Sequence, residues 1–248
     1  MLEYLEQISE SETIEEIWAL HTKKMAEYGF DRLIYAYTKF RTSRSLGDPK
    51  DSLVLSGHDP AYTEGYVSQG HYVHAAMLRW SIDNVGACSW SWMESIEPED
   101  LTTGERKALE YNRSMGVTAG YTIGFKSDST RNRGAIGLTA KEGVTQAEVD
   151  SMWERHGREI LVMNNVAHLK IISLPYVSSR RSLTNRQREV LEWVGEGKTM
   201  QDIATIMGLT TATVEKHLRL ARESLDVETT AQAVLKASFQ NQIFMVES

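Results

Sequence analysis

Residues 183–244 read LTNRQREVLEWVGEGKTMQDIATIMGLTTATVEKHLRLARESLDVETTAQAVLKASFQNQIF, and the punctuation of this stretch predicts four short helices. Thr184 with Gln187 has the spacing of a capping box and opens a helix through Val194. Gly195 and Gly197 stop it. Thr199, with Asp202 at the third helical position, caps a second helix from Met200 to Met207, and Gly208 makes the turn. Thr210 or Thr211 opens a third helix that runs to about Leu225. Thr229 with Gln232 is a second capping box and opens the last.

In the third helix Val214, Leu218, Ala221 and Leu225 recur at i, i+4, i+7 and i+11, which places them in one apolar stripe. Lys216, Arg219 and Glu223 fall opposite, flanked by Thr213 and His217. Two short helices joined by a tight glycine turn, the second with a polar and basic outer face, make a helix-turn-helix. Such a recognition helix lies in the DNA major groove with its N-terminal residues nearest the bases. Lys198, Thr199, Thr213, Lys216, His217 and Arg219 are the candidate DNA-contacting residues. Periodicity alone equally admits a small helical bundle whose charges are only a solvated face.

Composition bounds the rest. The chain has 248 residues, 41% of them hydrophobic, which suits one or two domains with a real core. No apolar run approaches the roughly 20 residues of a membrane span. Met1 to Glu12 carries glutamates and no basic residue, unlike a secretion signal. Cys88 is the single cysteine, so an internal disulfide and a cysteine-rich zinc site are excluded. The expectation is a soluble cytoplasmic protein without a cofactor. The net charge is −7. From Leu183 onward 7 Lys+Arg face 9 Asp+Glu, so DNA binding needs a local basic face, not bulk charge. Arg180, Arg181, Arg186, Arg188, Lys198, Lys216, Arg219 and Arg222 are the candidates for it. Dimerisation would double the phosphate contacts.

Ahead of this region the pattern mixes helices and strands. Thr13 to Tyr28 is amphipathic, with Ile14, Ile17, Trp18, His21, Met25 and Tyr28 near one face, and Gly29 ends it. Arg32 to Phe40 and Leu53 to Leu55 read as strands, separated by a polar loop, Thr42 to Lys50. His58-Asp59-Pro60 turns into a helix from Ala61. Tyr72 to Asn84 reads as a helix stopped by Gly86, and Ser89 to Met93 as a strand. Thr102 with Glu105 opens a helix to Met115. Val117 to Phe125 and Ala135 to Thr139 resemble two antiparallel strands. Thr145 with Glu148 caps a long helix to about Ile172, with Val149, Met152, Trp153, Ile160 and Met163 as a candidate dimer interface or as packing on its own sheet. Ser173 to Ser182 is a polar linker. The fold class expected is α+β: residues 1–172 form an antiparallel sheet sandwiched by helices, a linker covers 173–182, and residues 183–248 form an all-α four-helix domain.

Aromatic residues concentrate between Tyr62 and Trp92. Tyr62 and Tyr66 are four apart and share a helix face. One reading makes them core or oligomer surface; the other makes them the wall of an apolar pocket with a few polar tips. His21, His58, His71, His74, His156 and His168 are scattered, with no motif pairing one to a nucleophile or a metal, so nothing points to an enzyme.

The stretches LTNRQREVLEWVGEGKT, DIATIMGL, TATVEKHL, LDV and AQAV resemble the DNA-binding domain of LuxR-type transcriptional regulators, with Ser224 standing where that family usually carries a basic residue. Residues 1–172 resemble the family's autoinducer-binding domain, most clearly in the glycine-punctuated run from Gly116 to Leu138. The resemblance implies a cavity for an N-acyl homoserine lactone or an analogue, lined by Tyr62, Tyr66 and Trp90. Tyr62 stands where the family usually has tryptophan. Ala75-Ala76 stand where the family has an Asp-Pro pair whose aspartate accepts from the ligand amide. Gly124 replaces a strand proline, and Gly137 replaces a serine found in some members. His74, Asp59 or Asp83 are candidate replacement anchors. The implied partners are double-stranded promoter DNA, a small-molecule signal, a second copy of the chain and RNA polymerase. Two alternatives within regulators are a ligand-independent orphan and a sensor of a non-lactone ligand. A phosphorylated receiver lacks support, because no series of acidic residues ends the early strands.

Overall fold

A computed structural model describes residues 1–41, 51–97, 99–175 and 182–244. It divides into two compact units, Met1–Ile171 and Ile172–Ser248. The loop expected over Thr42 to Lys50 and most of the polar linker lie outside the described residues.

The first unit is built on one five-stranded antiparallel sheet. Its strands are β1 (Phe30–Thr38), β2 (Leu53–Ser56), β3 (Gly86–Ser89), β4 (Gly120–Gly124) and β5 (Arg133–Ala140), in the order β2-β1-β5-β4-β3. The centre is β1 against β5, from Phe30 opposite Ala140 to Thr38 opposite Arg133. Helices α1 (Leu2–Glu10) and α2 (Ile14–Ala26) precede the sheet. α1 was not legible in the sequence; its Tyr4 and Ile8 are buried. α2 starts at a capping box of Thr13 and Glu16 and ends before Gly29, whose φ of 90° is open to glycine at little cost.

Strand alternation sends successive side chains to opposite faces. On one face α6 (Gln146–Ser173) covers the sheet. Its His168 is stacked on Phe125 at 4.0 Å and meets the Tyr35 hydroxyl at 2.8 Å. Trp153 is stacked on Tyr121 at 3.9 Å. Val149, Ile160 and Met163 are buried. Of the two roles open to this helix, these residues pack on their own sheet. The large apolar side chains that α6 exposes are instead Val162 and Leu169.

The opposite face is covered by α3 (Pro60–Thr63), α4 (Ala76–Asp83) and α5 (Thr103–Ser114). Two expectations fail here. The helix expected over Tyr72 to Asn84 is a 3₁₀ turn, His71–His74, then a break at Ala75 with extended φ −72° and ψ 122°, then α4. The strand expected over Ser89 to Met93 is a 3₁₀ turn, Trp90–Ser95, capped by the Ser89 side chain; the strand is the segment before it. In both places aromatic and polar residues alternate as in a strand or helix, but the chain breaks where Tyr72 and Trp90 reach the lining of a common cavity.

The second unit is helical: α7 (Asn185–Gly195), α8 (Met200–Met207), α9 (Thr211–Leu225) and α10 (Thr230–Phe239). Each opens on a threonine whose hydroxyl accepts a first-turn amide, Thr184, Thr199, Thr210 and Thr229. Such caps matter because helices this short are marginal alone. Gly195 ends α7 rather than following it, and Gly197, at φ 84°, makes the left-handed turn. Val214, Leu218, Ala221 and Leu225 sit in one core with Val190, Leu191, Ile203 and Ala237.

Candidate functional site

Between the sheet and α3 to α5 lies a cavity of about 520 Å³. β1 contributes Ile34 and Ala36, β4 contributes Thr122, and β5 contributes Gly137 and Thr139. These are the alternate positions to those packed on α6. None of the fully buried lining residues carries a charge; Glu94, Glu97 and Arg113 line the cavity but are exposed, and the half-buried Arg133 lines it with its guanidinium donating to the Ser81 and Asn84 carbonyls.

Its most elaborate wall is aromatic. Asp59 accepts from the Ala61 amide at 2.7 Å, and Pro60 follows at the first helical position, so α3 starts cleanly. The chain then widens into a π turn, Glu64–Ser68. Tyr62 and Tyr66 stack at 5.1 Å, and His58 stacks on Tyr62 at 4.3 Å. Tyr111 of α5 donates to the carbonyls of Ala61 and Tyr62, both at 3.1 Å. Gly65 makes room for it: a Cβ there would collide with the Tyr111 hydroxyl. The Tyr62 hydroxyl donates to Asn112 Oδ1 at 3.1 Å. Burial pushes the Tyr62 and Tyr66 hydroxyls well above the phenol range, so both stay neutral. Burial pushes His58 down to about 4, so it too is neutral near pH 7; its Nε2 lies 3.4 Å from Thr139 Oγ1. Trp90 Nε1 donates to Thr122 Oγ1 at 2.9 Å.

Tyr62, Tyr66, Ala75 and Trp90 are thus brought together on one cavity. The replacement anchors are not. His74 is exposed and lies against Gly104 of α5, Asp83 is exposed, and Asp59 is occupied as the cap of α3. Ala75 is buried and is the N-cap residue of α4, to which it offers no side-chain acceptor. Asn112 was missed in the sequence. The available signal was a polar residue four after Ala108, on the buried side of α5, where an unpaired amide is costly.

In the second unit, α9 turns Ala212, Lys216, Arg219 and Glu223 outward, away from its buried stripe. Lys216 is exposed and has no ion pair among the described residues. Arg219 pairs with Glu223 at 2.6 Å. His217 and Thr213 are half-buried on the flank, and Thr213 is hydrogen-bonded to Thr210 at 2.9 Å. Lys198 is exposed, and Thr199 is held in the α8 capping box with Asp202. The expected basic face is narrower than the arginine count suggests. Arg186 pairs with Glu189 and Arg222 with Glu215, Arg188 is half-buried, and Arg180 and Arg181 lie outside the described residues.

Residues 13–171 match the family model of the autoinducer binding domain, and residues 181–237 match that of bacterial regulatory proteins, luxR family. The transcriptional activator protein AnoR of Acinetobacter nosocomialis is 24% identical over 229 residues, 90% of each chain. SdiA of Escherichia coli, solved in complex with octanoyl-rac-glycerol, superposes with a TM-score of 0.53 at 16% identity, covering 95% of this chain and 92% of its own. CepR2 of Burkholderia cenocepacia, an N-acylhomoserine lactone-dependent factor, gives a TM-score of 0.53 at 16% identity over 69% of this chain and 93% of its own. No helix among the described residues is long and apolar enough to cross a membrane, and they hold no cluster of His, Cys, Asp or Glu suited to a metal ion. The two domain matches cover nearly the whole fold, and the chain belongs to the LuxR family of bacterial transcriptional regulators, with an autoinducer-binding domain followed by a LuxR-type helix-turn-helix.

Proposed function

We propose that this regulator takes an uncharged, mostly apolar small molecule into the cavity of its first domain and binds palindromic promoter DNA as a homodimer through α9. The observation that carries the reading is the cavity itself. Its size suits a small acyl compound, and its lining pairs aliphatic and aromatic surface with neutral hydroxyl and amide groups. Tyr62, Tyr66, Trp90 and Ala75 are the proposed ligand contacts. Lys216, Arg219, His217 and Thr213, with Lys198 and Thr199 at the start of α8, are the proposed DNA contacts. Ligand acts by favouring one of the states in which the dimer holds its DNA-binding domains. The protein works in the cytoplasm, with RNA polymerase as its further partner.

A second reading has support in Ala75, which offers no carboxylate to a ligand amide: the protein responds to a non-lactone ligand, or needs none. SdiA was solved in complex with octanoyl-rac-glycerol, which supports this second reading. Native mass spectrometry of protein purified from its own host tests both readings at once. A dimer carrying a small neutral ligand is expected; a ligand-free dimer that still binds promoter DNA favours the orphan.

A further inference from the structure

We propose that Asn112 reads the ligand head group as a hydrogen-bond donor, and that the cavity therefore selects O-acyl esters over N-acyl amides. This rests on the cavity being a ligand site. Asn112 lines the cavity from the inner side of α5. Its carboxamide has one fixed partner: Oδ1 accepts the Tyr62 hydroxyl at 3.1 Å. A phenol is a better donor than acceptor, and burial keeps this one protonated, so the oxygen of the amide faces Tyr62. The Nδ2 group, with two N–H bonds, is left toward the cavity without a partner among the described residues.

The surroundings have the same polarity. The Tyr66 hydroxyl lines the cavity with no protein partner among the described residues. α4 begins at the cavity wall with Ala75, Ala76 and Met77, and nothing at Ala75 accepts from its first-turn amides. The nearby acceptors are engaged: Thr122 Oγ1 accepts from Trp90, and Thr139 Oγ1 lies against His58 Nε2. No carboxylate belongs to the buried lining. This wall offers the Asn112 amide N–H groups as donors and hydroxyls that donate or accept, with no buried carboxylate. An acyl carbonyl and a ring or ester oxygen satisfy it. An amide N–H adds one more donor to this wall, where hydroxyl oxygens such as that of Tyr66 stand in place of a carboxylate as acceptors.

The test compares two probes that differ at one atom, the N-octanoyl and the O-octanoyl derivative of the same α-substituted γ-butyrolactone. Affinities are read by tryptophan fluorescence and by melting of the full-length protein. Wild type is expected to bind the ester about tenfold more tightly, a difference of about 1.4 kcal/mol. Asn112→Leu keeps the helix and removes the donor, and should erase most of that preference. Asn112→Asp offers the ligand an acceptor and should reverse it. Equal or tighter binding of the amide by wild type overturns the proposal, as does an unchanged ester-to-amide ratio in Asn112→Leu. If neither probe binds wild type, the ligand reading of the cavity falls first and this inference with it. Melting of the ligand-free variants separates any loss of binding from a loss of fold.

Discussion

The indole N–H of Trp90 donates to Thr122 Oγ1 over 2.9 Å, and the bond joins the 3₁₀ turn at residues 90–95 to the cavity face of β4. Trp90→Phe keeps most of the ring but leaves the threonine oxygen without its donor. The expected cost is about 1 kcal/mol in chemical denaturation, with weaker binding of any ligand that touches the ring. Thr122→Val should cost a similar amount, and the double variant less than the two added together.

Trp90 also distinguishes two glycines. A Cβ at Gly120 would run into the Leu138 carbonyl and come within 3.0 Å of the Trp90 ring, whereas at Gly137 it would meet Ile34 Cγ2 at 3.2 Å and the Ile34 carbonyl oxygen and Trp90 ring each at 3.9 Å. Gly120→Ala is therefore expected to cost about 3 kcal/mol or more. Gly137→Ser should fold nearly as wild type and narrow the cavity, so that long acyl probes lose more affinity than short ones. Parallel denaturation curves and a chain-length series check both halves.

Three buried histidines set an acid limit. Burial pushes His21, His58 and His168 each down to about 4. His21 is fixed as a neutral tautomer, accepting from the Tyr4 hydroxyl at 2.6 Å on Nδ1 and lying 3.0 Å from Asn164 Oδ1 on Nε2. The unfolded chain titrates near 6.5 and binds protons first, so stability is full above that pH and falls as pH drops from about 6.5 toward 4. The slope approaches three protons, roughly 4 kcal/mol per pH unit. Urea denaturation at pH 7.5, 6 and 5 measures it, and His21→Gln should flatten the slope by about one proton. A stability independent of pH across this range would contradict the buried neutral state.

On α9, Lys216 and Arg219 differ in readiness. Lys216→Ala should weaken promoter binding by roughly 1–3 kcal/mol if it reads a base, or lower the salt slope across all sequences if it meets a phosphate. Arg219 is already paired with Glu223. Glu223→Gln frees the guanidinium and removes a negative charge from the outer face, so affinity should rise. Gel-shift titrations at two salt concentrations resolve these outcomes. Unchanged affinity in the Lys216/Arg219 double alanine variant would remove α9 from the interface.

The residues of α6 that remain available for a dimer are Val162 and Leu169, 41% and 62% exposed and two turns apart on the helix. Val162→Glu with Leu169→Glu should shift sedimentation toward monomer with little change in melting of the fold. Ile160→Glu, at a fully buried position, should instead unfold the domain.

Where the chain depends on local signals, the sequence was readable. The threonine caps, the turn at Gly208 (φ 65°) and the stripe of α9 follow from spacing alone. The cavity region was less so, because its shape depends on distant partners. The break at Ala75 and the 3₁₀ turn at Trp90 contradict local periodicity, and both residues answer to the cavity. Asn112 and Tyr62 lie 50 positions apart, a relation no local pattern carries. His74 looked like a candidate anchor by adjacency to Ala75, yet the 3₁₀ turn leaves it exposed.

The pairing of β1 with β5 sets an order on synthesis. Phe30 waits for Ala140, and at the usual 5–20 residues per second the ribosome takes roughly 5–20 s to supply it. Through that interval the central strand has only the short β2 on one edge, and its tyrosines have no α6 to cover them. The helical domain behind it closes mostly through near neighbours and should fold as soon as it emerges. Since Ala135, Gly137 and Thr139 belong to the cavity wall, a molecule that binds there meets no site on the growing chain until β5 is made. Its first effect is on whether a newly finished first domain stays closed.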